Sequence, residues 1–66
     1  MKYQASVNDK TYILHTTGTT SEAQLIWMAL NEAGWADHPY SVDREPDAIT
    51  VVSERLAASM RITPVK

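Results

Sequence analysis

The stretch TTGTTSEAQLIWMALNEAG, residues 16–34, carries the strongest helix signal in the chain. Two overlapping patterns in it fit the reciprocal capping box that opens many helices, Thr19 with Glu22 and Ser21 with Gln24. Both patterns stand directly before an apolar run, as expected at a helix N-terminus. The start of the predicted helix is therefore defined to within two residues.

The predicted helix runs from Ser21 to about Ala33, because Gly34 stands where a left-handed residue commonly ends a helix. One apolar stripe with helical spacing is expected to cover a sheet. That stripe consists of Ala23, Ile26, Trp27, Leu30 and Gly34. Leu25, Met28 and Ala29 fall outside it. Either the C-terminal segment covers them, or they form an exposed patch for a partner or a second copy.

The residues before this stretch have the pattern of a β-hairpin. In residues 1–7 apolar and polar side chains alternate, and residues 11–16 are rich in β-branched and aromatic types. Asn8-Asp9 suits a tight reversal with a two-residue loop. The expected cross-strand pairs are then Ala5 with Tyr12 and Tyr3 with Leu14.

The second half of the chain is harder to assign. Residues 35–47 are irregular, with room for a short strand at 40–42, and residues 48–53 form a clearer strand. Residues 55–63 contain helix formers, but their alternation favours a strand. The sequence thus predicts the α+β class for a single small domain (1–66), an antiparallel sheet of three to four strands with one helix on one face (ββαββ). The predicted core is Tyr3, Ala5, Tyr12, Leu14, Ile26, Trp27, Leu30, Val51 and Ile62.

Composition excludes several classes of function. The 66 residues include no cysteine, which excludes disulfides and cysteine zinc sites. The longest apolar run, Leu25–Leu30, is far shorter than the roughly 20 residues that span a bilayer. The N-terminus lacks the apolar core of a secretory signal. We therefore expect a protein of the cytoplasm of a bacterial host cell, without membrane attachment.

Motifs for chemistry are also lacking. His15 and His38 lie in different predicted elements and have no ligand spacing between them, so we expect neither catalysis nor a metal site. The loop around Gly18 has one glycine and no lysine, unlike a phosphate-binding loop. The sequence predicts a non-enzymatic protein without cofactor or metal.

The charges are unevenly distributed. The net charge is −2, from 8 acids and 6 bases. Residues 35–54 hold five acids and one arginine, a net of −4, whereas residues 55–66 hold three bases. In an extended chain Asp43, Glu45 and Asp47 would share one face at intervals of about 6.6 Å, close to the spacing of nucleic-acid phosphates. Such a row could occupy a basic groove. The predicted partner-binding residues are Trp35 as anchor with Asp37, Asp43, Glu45, Asp47 and Glu54.

With these features the chain resembles small phage-encoded proteins that disable host machinery, such as anti-CRISPR proteins and the T7-type inhibitor of bacterial RNA polymerase. The resemblance lies in the size, the lack of cysteine, a strand entering Thr19-Thr20-Ser21-Glu22-Ala23, one helix, and an acidic stretch before a late strand. It implies a stoichiometric inhibitor that binds a host protein or ribonucleoprotein complex, such as the CRISPR surveillance complex. Several such inhibitors mimic DNA with acidic side chains, although strong mimics carry more net negative charge.

Two alternatives stay open. The chain could form a homodimeric structural or regulatory module through Leu25 and Met28, instead of acting as a monomer. It could also bind nucleic acid weakly through scattered bases, although we do not expect direct nucleic-acid binding, because such bases leave a weak electrostatic footprint. These bases are Lys2, Arg55, Arg61 and Lys66.

Overall fold

The computed structural model describes residues 1–8 and 10–65. In this part of the chain one helix and five strands follow one another in the order ββαβββ. The five strands form one antiparallel sheet in the spatial order β2-β1-β5-β4-β3. The elements are β1 Lys2–Val7, β2 Lys10–His15, α1 Glu22–Ala33, β3 Ser41–Arg44, β4 Ile49–Ser53 and β5 Ala58–Val65. The predicted class and the antiparallel sheet are confirmed, but the predicted three to four strands are one too few.

The N-terminal hairpin has the predicted register. Ala5 lies opposite Tyr12 and Tyr3 opposite Leu14, so the apolar side chains of β1 and β2 share one face. Val7 opposite Lys10 closes the hairpin. Asn8 adopts a positive φ of 54°, which asparagine tolerates better than most residues. Asp9, the other residue of the predicted turn, lies outside the described residues.

The number of strands differs because residues 35–54, the acidic segment, contain a complete β-hairpin. β3 starts one residue later than predicted and extends to Arg44, and Val42 lies opposite Val51 of β4. A turn at residues 54–57 then leads into β5, so the ambiguous segment is a strand from Ala58 onward. β5 pairs with β1 on one side and β4 on the other, which satisfies its backbone on both edges.

Both ends of α1 are capped by the residues that the sequence indicated. The Ser21 hydroxyl accepts a hydrogen bond from the Gln24 N–H at 3.2 Å, and the Ser21 N–H donates to the Gln24 side chain at 2.8 Å. The capping box is therefore the second of the two predicted. Gly34 ends the helix with φ +76°, and the N–H of Trp35 donates to the Leu30 carbonyl at 2.8 Å.

The buried face of α1 is not the predicted stripe. Leu25, Ile26, Ala29 and Leu30 face the sheet, whereas Trp27 is 60% exposed. The helix is thus rotated by roughly a quarter turn from the predicted orientation. Ala29 is 0% exposed at the centre of the contact. Because its side chain is small, the helix can lie close to the strands, which a central tryptophan would prevent.

The core lies between α1 and the facing side of the sheet. Strand residues that are opposite one another contribute to it, and the largest fully buried side chains among the described residues come from the sheet. Tyr3 and Tyr12 only border this core, in contrast to the prediction. The core cluster consists of Ala5, Val7, Leu14, Leu25, Ile26, Ala29, Leu30, Trp35, Val51, Met60 and Ile62.

Truncation of the buried and exposed faces of α1 should have very different effects. We expect Leu30→Ala to lower the free energy of unfolding by about 3 kcal/mol, because it leaves a cavity against the sheet. Trp27→Ala, on the exposed side, should lower it by less than about 1 kcal/mol. Urea unfolding followed by circular dichroism measures both, and equal losses would contradict the observed rotation of the helix.

The two glycines offer a second matched comparison. A Cβ at either position meets no atom within 4 Å, but only Gly34 has a positive φ. Gly34→Ala should therefore lower the free energy of unfolding by about 1 kcal/mol, because a residue with a Cβ is strained in the left-handed conformation. Gly18→Ala should change stability by less than about 0.5 kcal/mol. Thermal unfolding of the two variants tests the difference, and a neutral Gly34→Ala would refute the left-handed cap.

Candidate partner-binding surface

The predicted row of Asp43, Glu45 and Asp47 does not form. β3 ends at Arg44, and Glu45 and Ala48 then close a tight turn. The Glu45 N–H donates to the Ala48 carbonyl at 2.9 Å, so Pro46 and Asp47 make the tip of the β3–β4 hairpin. A chain that reverses at this point cannot present three acids at regular intervals along one extended face.

Ion pairs also neutralise part of the acidic segment. The Arg61 guanidinium on β5 lies 3.3 Å from the Glu45 carboxylate, and Arg44 pairs with Glu22 on α1. All four side chains are substantially exposed. Each pair therefore contributes at most about 1 kcal/mol to stability. The pair with Arg61 also places a positive charge directly beside Glu45 on the surface.

Four of the five predicted acidic residues remain exposed, without an ion pair within residues 1–8 and 10–65. Asp43 lies in β3 and Asp47 at the tip of the β3–β4 hairpin, whereas Glu54 lies in the turn between β4 and β5 and Asp37 in the turn after α1. We call this set the acidic edge, which consists of Asp37, Asp43, Asp47 and Glu54. These exposed acids all come from residues 35–54, as predicted, but they are spread out, because the whole length of β4 separates Asp47 from Glu54.

A shallow hollow lies beside one end of the acidic edge. Its volume is about 400 Å³. Tyr40, which is exposed, and Glu54 contribute to its wall, and Arg55 lies next to them. The remaining lining residues are Pro39, Ser41 and Val52. An aromatic side chain beside a carboxylate gives this end of the sheet apolar contact area next to charge.

Trp35, the predicted anchor, is buried. It is 6% exposed and belongs to the core cluster, below the C-terminal end of α1. The hydrogen bond from its N–H to Leu30 fixes the chain where it leaves the helix. The prediction of a surface anchor at Trp35 is therefore corrected, because this side chain stabilises the fold. The signal for this outcome was Gly34, since a residue after a left-handed glycine often packs back onto the last helical turn.

The predicted patch of Leu25 and Met28 is not exposed either. Leu25 is 5% exposed in the core, and Met28 is half-buried against the same cluster. Trp27 takes their place at the surface, together with Ile13 of β2, which is 49% exposed. Both residues border a groove of about 240 Å³ between α1 and β2. Leu14, His15, Met28, Asn31 and Glu32 complete its lining.

The two histidines lie on different elements and do not form a common site. His15 is exposed at the end of β2, and His38 is half-buried in the turn after α1, where its N–H donates to the Trp35 carbonyl. The buried His38 Nδ1 has no hydrogen-bond partner within the described residues. In the same part of the chain, no three His, Asp or Glu side chains lie close enough together to hold a metal ion.

The loop around Gly18 is organised by its own hydroxyl groups. The N–H of Thr17 donates to the Thr20 hydroxyl at 3.0 Å, and the hydroxyls of Thr17 and Thr19 lie 3.0 Å apart. These contacts connect β2 to the capping box of α1. These hydrogen bonds give the loop a structural role as the connection into the helix.

A comparison with protein families, with curated proteins and with solved structures finds no match for this chain. Within the described residues, α1 is too short and too polar to be a membrane-spanning helix.

The different environments of the two tryptophans can be measured directly. In Trp27→Phe the remaining emission comes from buried Trp35, so acrylamide should quench it severalfold less than the emission of the unaltered protein. The unfolded variant in urea serves as the control, since there Trp35 is accessible. Strong quenching of folded Trp27→Phe would show that Trp35 is exposed after all.

Proposed function

We propose that this chain is a non-enzymatic protein that binds a larger host complex stoichiometrically and blocks it, as the resemblance to anti-CRISPR-type phage inhibitors suggested. The observation that carries the proposal is the acidic edge. Its four carboxylates are exposed, and none of them forms a salt bridge with a cation of the described residues. Unpaired surface charge of one sign costs little in water, and it steers a protein toward a surface of the opposite sign.

The partner surface is accordingly basic, as in a protein or ribonucleoprotein groove built to hold DNA or RNA. A CRISPR surveillance complex is one assembly with such a groove. The irregular positions of Asp43, Asp47 and Glu54 favour blockage by charge and bulk over residue-by-residue imitation of phosphates. The β3–β4 hairpin supports two of these acids on a backbone that is hydrogen-bonded along β4, so they are held in place before binding.

Direct nucleic-acid binding has less support. Among the predicted bases, Arg61 is paired with Glu45, and Arg55 lies in the same hollow as Glu54. Lys2 stands at the start of β1, away from both. The fourth base, Lys66, lies outside the described residues. Bases that are separated and adjacent to carboxylates form a weak site for a polyanion.

Charge variants with equal net change test the proposal. Asp43→Asn combined with Asp47→Asn and the single Glu32→Lys each raise the net charge by two, but Glu32 lies in the groove beside Trp27. The affinity-tagged protein is first used to isolate its target from a bacterial lysate. Isothermal titration then measures the Kd and stoichiometry with the purified target. We expect binding that weakens with salt, and a Kd about tenfold higher for the double variant only.

Blocking is measured in a separate experiment, as the release of nucleic acid from the purified target. The purified target should lose its nucleic acid as the unaltered protein is added, reaching completion at a fixed molar ratio and without chemical change of either component. An unchanged Kd and salt dependence in the double variant would refute the role of the acidic edge. Inhibition at a small fraction of the target concentration would refute the stoichiometric mechanism.

A further inference from the structure

The outer edge of β2 presents unpaired backbone groups. Met1 and Thr16 exchange two hydrogen bonds at 3.0 and 3.1 Å. In an antiparallel pair such hydrogen-bonded positions alternate with non-bonded ones. From the register, Leu14, Tyr12 and Lys10 therefore bond to β1. The N–H and C=O groups of the intervening Thr11, Ile13 and His15 point away from the sheet.

The two edge strands differ in how they resist further pairing. Natural edge strands are protected by short length, charge and proline. β3 has four residues, two of them the charged Asp43 and Arg44, and its hairpin tip contains Pro46. β2 has six residues with charge only at Lys10, its first position. The unprotected edge is therefore β2.

The same edge is flanked by apolar side chains on both faces of the sheet. Ile13 extends from the face opposite α1, since it is the neighbour of Gln4 and alternates with buried Leu14. Trp27 lies on the α1 side, across the groove described above. A strand added to β2 would thus gain backbone hydrogen bonds and also cover two large exposed side chains.

We propose that the occupant is β2 of a second copy, paired antiparallel about a two-fold axis through Ile13. In this register Ile13 faces Ile13 of the other copy, and Thr11 faces His15 in both directions. Every residue of β2 whose backbone groups point outward then pairs with the second copy. The three pairs each exchange two hydrogen bonds. Lys10 lies opposite Thr16, so no like charges face each other across the axis. The strand is self-complementary, as a two-fold interface requires.

The area of this interface indicates a weak, reversible dimer. The exposed parts of Trp27 and Ile13 supply on the order of 400 Å² from the two copies together. Two paired six-residue strands add an area of about the same size. The total lies near or below the lower limit of about 1,200 Å² for stable complexes. Interfaces of this size are typical of transient association.

The dimer does not depend on the proposed function, because β2 lies at the opposite end of the strand order from β3, which carries Asp43. Pairing through β2 joins two sheets edge to edge and leaves an acidic edge at each outer end. Such an assembly could engage two sites at once, with the gain in apparent affinity that bivalency gives.

Sedimentation equilibrium from 1 µM to 1 mM tests self-association. We expect a monomer–dimer equilibrium that Ile13→Lys weakens at least tenfold, because it places two lysines opposite each other on the axis. Tyr40→Lys is the matched control. It introduces the same charge at an exposed aromatic residue directly before β3, the edge strand opposite β2, and it should leave the dimer intact. A monomer at 1 mM, or equal effects of the two variants, would overturn the proposal.

Amide hydrogen exchange tests the register independently of the side chains. The amides of Thr11, Ile13 and His15 should exchange rapidly in dilute protein and become protected at high concentration. The Tyr12 and Leu14 amides, which bond to β1, should be protected at both concentrations, and their protection in Ile13→Lys shows that this variant is folded. A dimer in which the three outward amides gain no protection would exclude pairing through β2.

Discussion

The pairing of β5 on both of its edges is the interaction on which the rest of the structure depends. β5 bonds to β1 through six residue pairs and to β4 through five. It joins two hairpins, β1–β2 and β3–β4, that would each be only marginally stable as an isolated ribbon. Without β5 the sheet has no centre, and α1 has no continuous surface to cover. Met60 and Ile62, which β5 contributes, are among the most deeply buried side chains.

This central strand also explains how the charges are arranged. Because β4 and β5 are adjacent, Arg61 reaches Glu45, a residue 16 positions earlier in the chain. Because α1 packs on the face of the sheet opposite to the one that carries Arg61, Glu22 of α1 reaches Arg44 on β3. The two arginines are neutralised by acids that are distant in sequence. Among the described acids that form no ion pair, Glu32 lies on α1, and the others lie in β3, at the hairpin tip and in the turns that follow α1 and β4.

The two edges of the sheet therefore have different chemistry, and each suits a different kind of contact. The β3 edge is short and charged, and it favours electrostatic attraction to a basic surface. The β2 edge has free backbone groups and exposed apolar side chains, so it favours strand addition. Both edges are held by a sheet whose central strands are paired on both sides. A surface that is rigid before binding loses little conformational entropy when a partner docks.

The sequence by itself determined the local features of this protein. Alternation and the two-residue loop set the register of β1 and β2, since a slip by one residue would expose every apolar side chain. Ser21, Gln24 and Gly34 set the ends of α1, because caps act within one turn. The alternation of Met60 and Ile62 identified β5.

Only the tertiary structure decided which apolar residues are buried and which acids are free. All residues from Leu25 to Leu30 are apolar, so periodicity could not show that the side with Ala29, rather than Trp27, would lie on the sheet. The exposure of Trp27 follows from that rotation. Likewise, the tight turn at Pro46 and the pairing of Glu45 with Arg61 depend on β4 and β5 being neighbours. Contacts between distant residues depend on how the elements pack, and short-range patterns carry no information about that.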